Sequence, residues 1–167
     1  EDGVRLFVIG KRGEHANFAT GHLGSNLERV VRAAHRPVLV ASRAFRPIKR
    51  FLVAFDGSPT TRRCIQVVCA SPLLKDATCE VLMVAEETAV STAQMAWATG
   101  QLRNAGFDPA TRTVKGSSDA VIVETAESDH IDLIVMGAYG HSRIRQLIVG
   151  STTTHVLRNC QIPMLLL

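Results

Sequence analysis

Aromatic side chains are scarce in this chain, with one Trp, one Tyr and six Phe in 167 residues. So few rings do not build a stacking platform for nucleic-acid bases. Long apolar runs are missing too, and no uncharged stretch approaches the ~18 residues of a membrane span. Basic side chains never run five together, so no nucleic-acid-binding arm is expected. Cys64, Cys69, Cys79 and Cys160 form no CxxC pair and share no zinc spacing with the histidines. They read as buried, reduced thiols of a cytoplasmic protein, and no secretory leader is recognised. Neither a Walker A loop, GxxxxGK[ST], nor a GxGxxG fingerprint occurs.

What is present is enough for a packed core. Apolar residues make up 46% of the chain, charged residues 20%, and mean hydropathy is +0.13. This excludes a disordered or fibrous chain, and the length suits one domain, or one domain plus a piece. The net charge is +4, with 15 Arg against 4 Lys. Arg suits planar contacts to phosphate or carboxylate, although a solvated surface is the plainer account.

The chain carries an internal repeat. Gly10 and Gly13 recur 127 residues later as Gly137 and Gly140. Gly24, Ser25, Val30, Arg32 and Pro37 recur 126 residues later as Gly150, Ser151, Val156, Arg158 and Pro163. That period is a domain length, not a solenoid repeat. Residues 46–167 are therefore expected to form a complete domain. Residues 1–45 would be the C-terminal part of a similar one, lacking its opening ~85 residues.

Residues 46–167 alternate strands and helices. Arg50–Phe55 is a continuous apolar run, as in a strand covered on both faces. Ser58-Pro59 signals an N-cap and first turn for a helix to Ala70, with Ile65, Val68 and Cys69 on one face. Glu80–Ala85 is a second strand, and residues 88–105 a second helix closed by Gly106. Ala110–Val114 is a polar strand suited to an edge. A helix over Asp119–Ser128, a strand over Ile131–Met136, a helix over Gly150–Asn159 and a strand over Pro163–Leu167 follow. Such alternation predicts a parallel α/β sheet, of order 2-1-3-4-5 or 3-2-1-4-5.

Gly137 to Thr152 follows a buried strand and opens a helix. Glycines let main-chain N–H groups approach a ligand closely. A helix start adds unpaired donors and the positive end of its dipole, an anion site. His141, Arg143 and Arg145 supply positive charge, and Ser151 and Thr152 supply hydroxyls.

Here the chain resembles the universal stress protein family. Gly137, Gly140, Gly150 and Ser151 fit that family's G-x2-G-x9-G-[S/T] spacing, and Asp56-Gly57-Ser58 fits its D-G-S after the first strand. The closing GSTTTHVLRNCQIPMLLL is similar to the family's last segment, with Thr152, Thr154 and His155 as departures. The resemblance implies an open five-stranded parallel sheet of order 3-2-1-4-5, with helices on both faces. The strands ending at Asp56 and Gly137 would flank its switch point, the crevice where such sheets bind ligands.

The resemblance also implies an adenine nucleotide there, ATP or AMP/ADP, with Mg2+ accompanying ATP. Backbone N–H groups of Gly140, Gly150, Ser151 and Thr152 would hold phosphates, with Arg143 adding charge. Asp56 would accept hydrogen bonds from the adenosine part, or else cap the helix after it. Val84 would meet adenine through its main chain, or serve as core. Met136 would be core or an adenine-side wall. The first copy keeps Gly10, Gly13, Gly24 and Ser25 but spaces them with ten residues and has no Asp, so it is not expected to hold a whole nucleotide.

The expected function is a nucleotide-dependent regulatory or stress-response module. A slow ATP hydrolase or phosphotransferase, or an interaction domain with an empty crevice, are the alternatives. The apolar edges Pro37–Ala41 and Pro163–Leu167 are expected to pair antiparallel, burying Leu39 and Leu165. A homo-oligomer is expected from the strand edge that this leaves uncovered.

Overall fold

The structure is a computed structural model that describes residues 5–11, 25–34, 36–138 and 149–167. In chain order the elements are β1 (Phe7–Gly10), α1 (Ser25–Ala33), β2 (Val38–Ala41), β3 (Arg50–Ala54) and α2 (Pro59–Ala70). After a short 3-10 turn at Pro72–Leu74 come β4 (Thr78–Val84), α3 (Ala89–Asn104), β5 (Ala110–Val114) and α4 (Ser118–Ser128). The chain closes with β6 (Leu133–Met136), α5 (Ser151–Asn159) and β7 (Met164–Leu166).

Local chemistry explains the element starts. Ser58 has extended backbone and accepts the Thr61 N–H, while Pro59 occupies the first turn of α2. Thr88 and Ser91 exchange bonds as a capping box at the start of α3. Gly106, at φ +88°, lets the chain leave α3 through the left-handed region.

Among the described residues the sheet has the order β1-β2-β7-β6-β3-β4-β5. Its segment β5-β4-β3-β6-β7 is wholly parallel. Counted within residues 46–167, this is the expected order 3-2-1-4-5. The sheet does not stop at five strands. β2 joins the edge of β7 antiparallel, with Val38 opposite Leu166, Leu39 opposite Leu165 and Val40 opposite Met164. β1 then pairs parallel with β2, making seven. The edges expected to pair do pair, and they convert a five-stranded sheet into a longer one.

The expectation that this seam buries Leu39 and Leu165 is corrected. Val38, Val40, Met164 and Leu166 are the buried ones, and Leu39 and Leu165 are only half-buried. Successive strand residues face opposite sides of a sheet. The buried set faces α1, α4 and α5, joining Leu27, Val31, Ile122, Val156 and Leu157 in one core. Leu39 and Leu165 lie on the other face, at the border of the core that α2 and α3 build with Phe51, Val53, Ile65, Val68 and Leu102.

The α2 face also differs from expectation. Thr61, Cys64, Ile65 and Val68 are its buried residues, while Cys69 is half-exposed and donates toward the Gln101 carbonyl. Cys64, Cys79 and Cys160 are buried. Burial pushes the Cys64 and Cys79 thiols up to about 12 and Cys160 up to about 11, which keeps them protonated and unreactive at neutral pH.

Candidate functional site

The carboxyl ends of β3, β4 and β6 border one cavity of about 320 Å³. Its lower wall is apolar, made by Ala54, Leu82, Val84, Ile122 and Met136. Asp56 and Thr61 close one side, Gly137 sits at the end of β6, and Gly150 to Thr153 form the far side. Ser118, at the start of α4, completes the ring. Asp56 and Gly137 are far apart in sequence, and only the neighbouring of β3 and β6 brings them together.

Asp56 is held by its own turn. Its Oδ1 accepts the Ser58 N–H at 2.9 Å and the Thr61 hydroxyl at 2.7 Å. Gly57 makes this turn at φ +77°, a conformation that a side chain would strain. Asp56 thus caps α2 and lines the cavity at once, so its two sequence readings do not exclude each other. It is the only charged residue among the described lining residues.

Hydrogen bonds fix the other side. The Gly150 N–H donates to the Ala138 carbonyl at 3.0 Å, and the Ala138 N–H to the Leu167 carbonyl at 2.7 Å. The Thr153 hydroxyl, almost fully buried, donates to the Gly137 carbonyl at 2.9 Å. One expectation changes here. The Gly150 N–H, expected to meet a ligand, is already committed to Ala138, so Gly150 contributes surface and not a donor. The amides of Ser151 and Thr152 begin α5, where no intrahelical acceptor exists.

Capping differs between the two faces of the sheet. The N-cap side chains of α2 and α3 bond the first turns that follow them, whereas the N-cap residues Ser117 of α4 and Gly150 of α5 do not. At α4 the Ser117 hydroxyl bonds the Asp119 carboxylate instead. That bond first, and the Ala120 amide of the first turn of α4 second, hold Asp119 below its ordinary value, with a smaller contribution from His155 of α5, whose Nδ1 lies 3.3 Å away.

Of the residues singled out from sequence, Asp56, Val84, Met136, Gly137, Gly150, Ser151 and Thr152 all line this cavity. Gly140, His141, Arg143 and Arg145 lie outside the described residues, as do Gly13, Gly24 and the side chain of Ser25. Gly10 ends β1, which runs opposite to β6 because the β2–β7 seam is antiparallel. It therefore opens at the other end of the strands, away from the cavity. A second cavity of about 600 Å³ lies toward that end, lined by Arg43, Arg46, Glu127, His130 and Asn159 among others, and none of the residues expected to meet a nucleotide is in its described lining.

Sequence reasoning missed Thr61, Ser118, Ile122 and Thr153. Ser118 had a usable signal. In the order 3-2-1-4-5, the helix after strand 3 starts beside the carboxyl end of strand 2, where Val84 lies. Thr153 had none, because its partner is a main-chain carbonyl.

An open, doubly wound α/β sheet with a crevice at its switch point defines the class of domain. Comparison narrows it. Residues 85–167 match the model of the Universal stress protein family. Universal stress protein Slr1230 of Synechocystis sp. is 40% identical over 162 residues, covering 96% of this chain and 56% of that protein. The crystal structure of a universal stress protein from Archaeoglobus fulgidus superposes with a TM-score of 0.78 at 23% identity, covering 99% of this chain and 62% of that one. The crystal structure of a universal stress protein in complex with cAMP superposes with a TM-score of 0.59 at 26% identity, covering 73% of this chain and 98% of that one.

The chain belongs to the universal stress protein family. It spans about half the length of the curated relatives that it matches.

Proposed function

We propose that the cavity binds an adenine nucleotide and that the chain acts as a nucleotide-dependent regulatory module of the stress response in the cytoplasm. The observation that carries this reading is the meeting of Asp56 with Gly137, Ser151 and Thr152 around one cavity. A carboxylate suits the hydroxyl donors of a nucleoside, and the uncapped start of α5 suits an anion. The apolar wall of Leu82, Val84, Ile122 and Met136 suits a base. A structurally similar universal stress protein was crystallised in complex with cAMP, which supports a purine nucleotide as the ligand class.

Gly140 and Arg143 enter this proposal from the sequence motif alone. Mg2+ fits poorly as a protein-held ion. Among the described residues no group of three His, Cys, Asp or Glu could hold one, and Asp56 is the sole lining carboxylate. An ion arriving with ATP would be carried by phosphates and water.

The tandem reading, with residues 1–45 and 46–167 in separate units, stays a proposal. It is supported by β1–α1–β2, which repeats the connectivity and parallel pairing of β6–α5–β7. Self-association through the outer edge of β1 is proposed with it, and sedimentation across a concentration series tests that part.

Thermal shift with ATP, ADP, AMP, cAMP and GTP tests the ligand class. A ligand at 100 times its Kd stabilises by ~2.7 kcal/mol. A melting temperature unmoved by every adenine nucleotide refutes the proposal. Steady-state phosphate release separates a binder from a hydrolase.

A further inference from the structure

We infer that Thr153 is a positioning residue of the nucleotide site, setting the distance between the two walls that α5 and β6 contribute. The inference rests on the nucleotide reading above and deepens it. Thr153 stands in the first turn of α5, next to Ser151 and Thr152, whose amides are the proposed phosphate donors. Its hydroxyl reaches the Gly137 carbonyl at 2.9 Å, across the gap between helix and strand.

The peptide that it grips is held on its other side as well. The Ala138 N–H donates to Leu167, and the Ala138 carbonyl accepts from Gly150. Two hydrogen bonds thus lock the end of β6 to the start of α5, one from the Thr153 hydroxyl and one main chain to main chain, and the Ala138 N–H ties the same peptide to Leu167 just past β7. The bond from Thr153 is the one that a substitution can remove. A valine in its place would have nearly the same shape but could not donate, leaving a buried carbonyl without its partner. The first turn of α5 would then settle differently against Gly137, and its amides would be misaimed. On the nucleoside side Asp56 accepts from Ser58 and Thr61, whereas Thr153 donates to Gly137.

This separation makes the test. Titration calorimetry on the full chain with ATP, AMP and adenosine compares wild type, Thr153→Val and Thr153→Ser. Thr153→Val is expected to weaken ATP and AMP about tenfold, the effect of one hydrogen bond. Adenosine should hold within about threefold, and Thr153→Ser, which keeps the donor, should bind all three within about threefold of wild type. If Thr153→Val does not fold, Thr153→Ala against Thr153→Ser makes the same comparison of the hydroxyl.

Unchanged ATP binding by the variant that lacks the hydroxyl overturns the inference while leaving the nucleotide reading intact. Equal losses for ATP and adenosine also overturn it, since they report general damage. No binding by wild type overturns both.

Discussion

Replacing Asp56 by Ala separates two roles that the structure gives one carboxylate. Its Oδ1 accepts the Ser58 N–H and the hydroxyl of buried Thr61. A buried donor left without an acceptor costs about 1–3 kcal/mol. The Thr61 hydroxyl retains an alternative in the Ser58 carbonyl at 3.2 Å, and Asp56 itself is exposed. The stability loss should therefore fall near the lower bound, about 1 kcal/mol, or roughly 2–4 °C in melting temperature for a chain of this size.

Binding should change more. A hydrogen bond to a charged acceptor contributes about 1.5–3 kcal/mol, so adenosine and ATP should both lose roughly 10- to 150-fold. Asp56→Asn keeps an acceptor oxygen and should fall between wild type and Ala on both measures. Calorimetry with adenosine and ATP, beside thermal melts of the free proteins, reads both effects. Adenosine affinity unchanged in Asp56→Ala would refute the nucleoside role, and a loss confined to ATP would move Asp56 to the phosphate side.

Three predictions concern the fold. Gly100 lies inside α3 with nothing within 4 Å of where a Cβ would stand, so Gly100→Ala should stabilise by about 0.5–1 kcal/mol in chemical denaturation. At the seam, Val40 is buried opposite Met164 while Leu39 is half-buried opposite Leu165. Val40→Ala should cost about 1–3 kcal/mol and Leu39→Ala less, although the second removes more atoms; the reverse ranking would mean that the seam faces the other way. Arg112 pairs with Asp129 and Glu80 and holds the Asp129 carboxyl below its ordinary value of 3.8. A depressed carboxylate stabilises the fold above its unfolded pKa and loses that contribution as pH falls through its folded value. Arg112→Gln should accordingly be less stable than wild type at pH 7, with the gap closing toward pH 2 in denaturant titrations at each pH.

The parallel core was legible because its strands are buried on both faces. Phe51 to Val53 and Leu133 to Val135 read as unbroken apolar runs. β5 was legible for the opposite reason, since Thr111, Arg112 and Thr113 suit an edge, and an edge is where it lies. The β2–β7 pairing followed from two apolar edges with nothing else to pair with. Which side chains that pairing would bury did not follow. Parity along a strand becomes a face only when the helices are known to lie above or below. Leu39 and Leu165 are as apolar as their neighbours, and only the placement of α1, α4 and α5 on the opposite face separates them.

The candidate site divides along the same line between residue type and bonding partner. Asp56, Gly137 and Ser151 were legible because a lone acid after a buried strand, and glycines before a helix, are unusual residue types for those places. Whether an amide there is available to a ligand is invisible in sequence. Gly150 fits the motif, yet its N–H is committed to Ala138. Ser117 stands at the N-cap of α4, yet its hydroxyl turns to Asp119. A missing side-chain cap costs a helix about 0.5–2 kcal/mol; at α4 the Asp119 carboxylate meets the Ala120 amide of the first turn, whereas α5, with Gly150 as its N-cap, starts on the cavity with no side-chain cap. Capped α2 borders the cavity as well, through Thr61 of its first turn, so contact with the cavity does not by itself leave a helix uncapped. An anion seated at Ser151 and Thr152 would satisfy the amides at the start of α5, which no side chain of the described residues caps. The same feature that leaves the free protein less stable would then tie its stability to ligand concentration, which is the physical requirement for a nucleotide-responsive module.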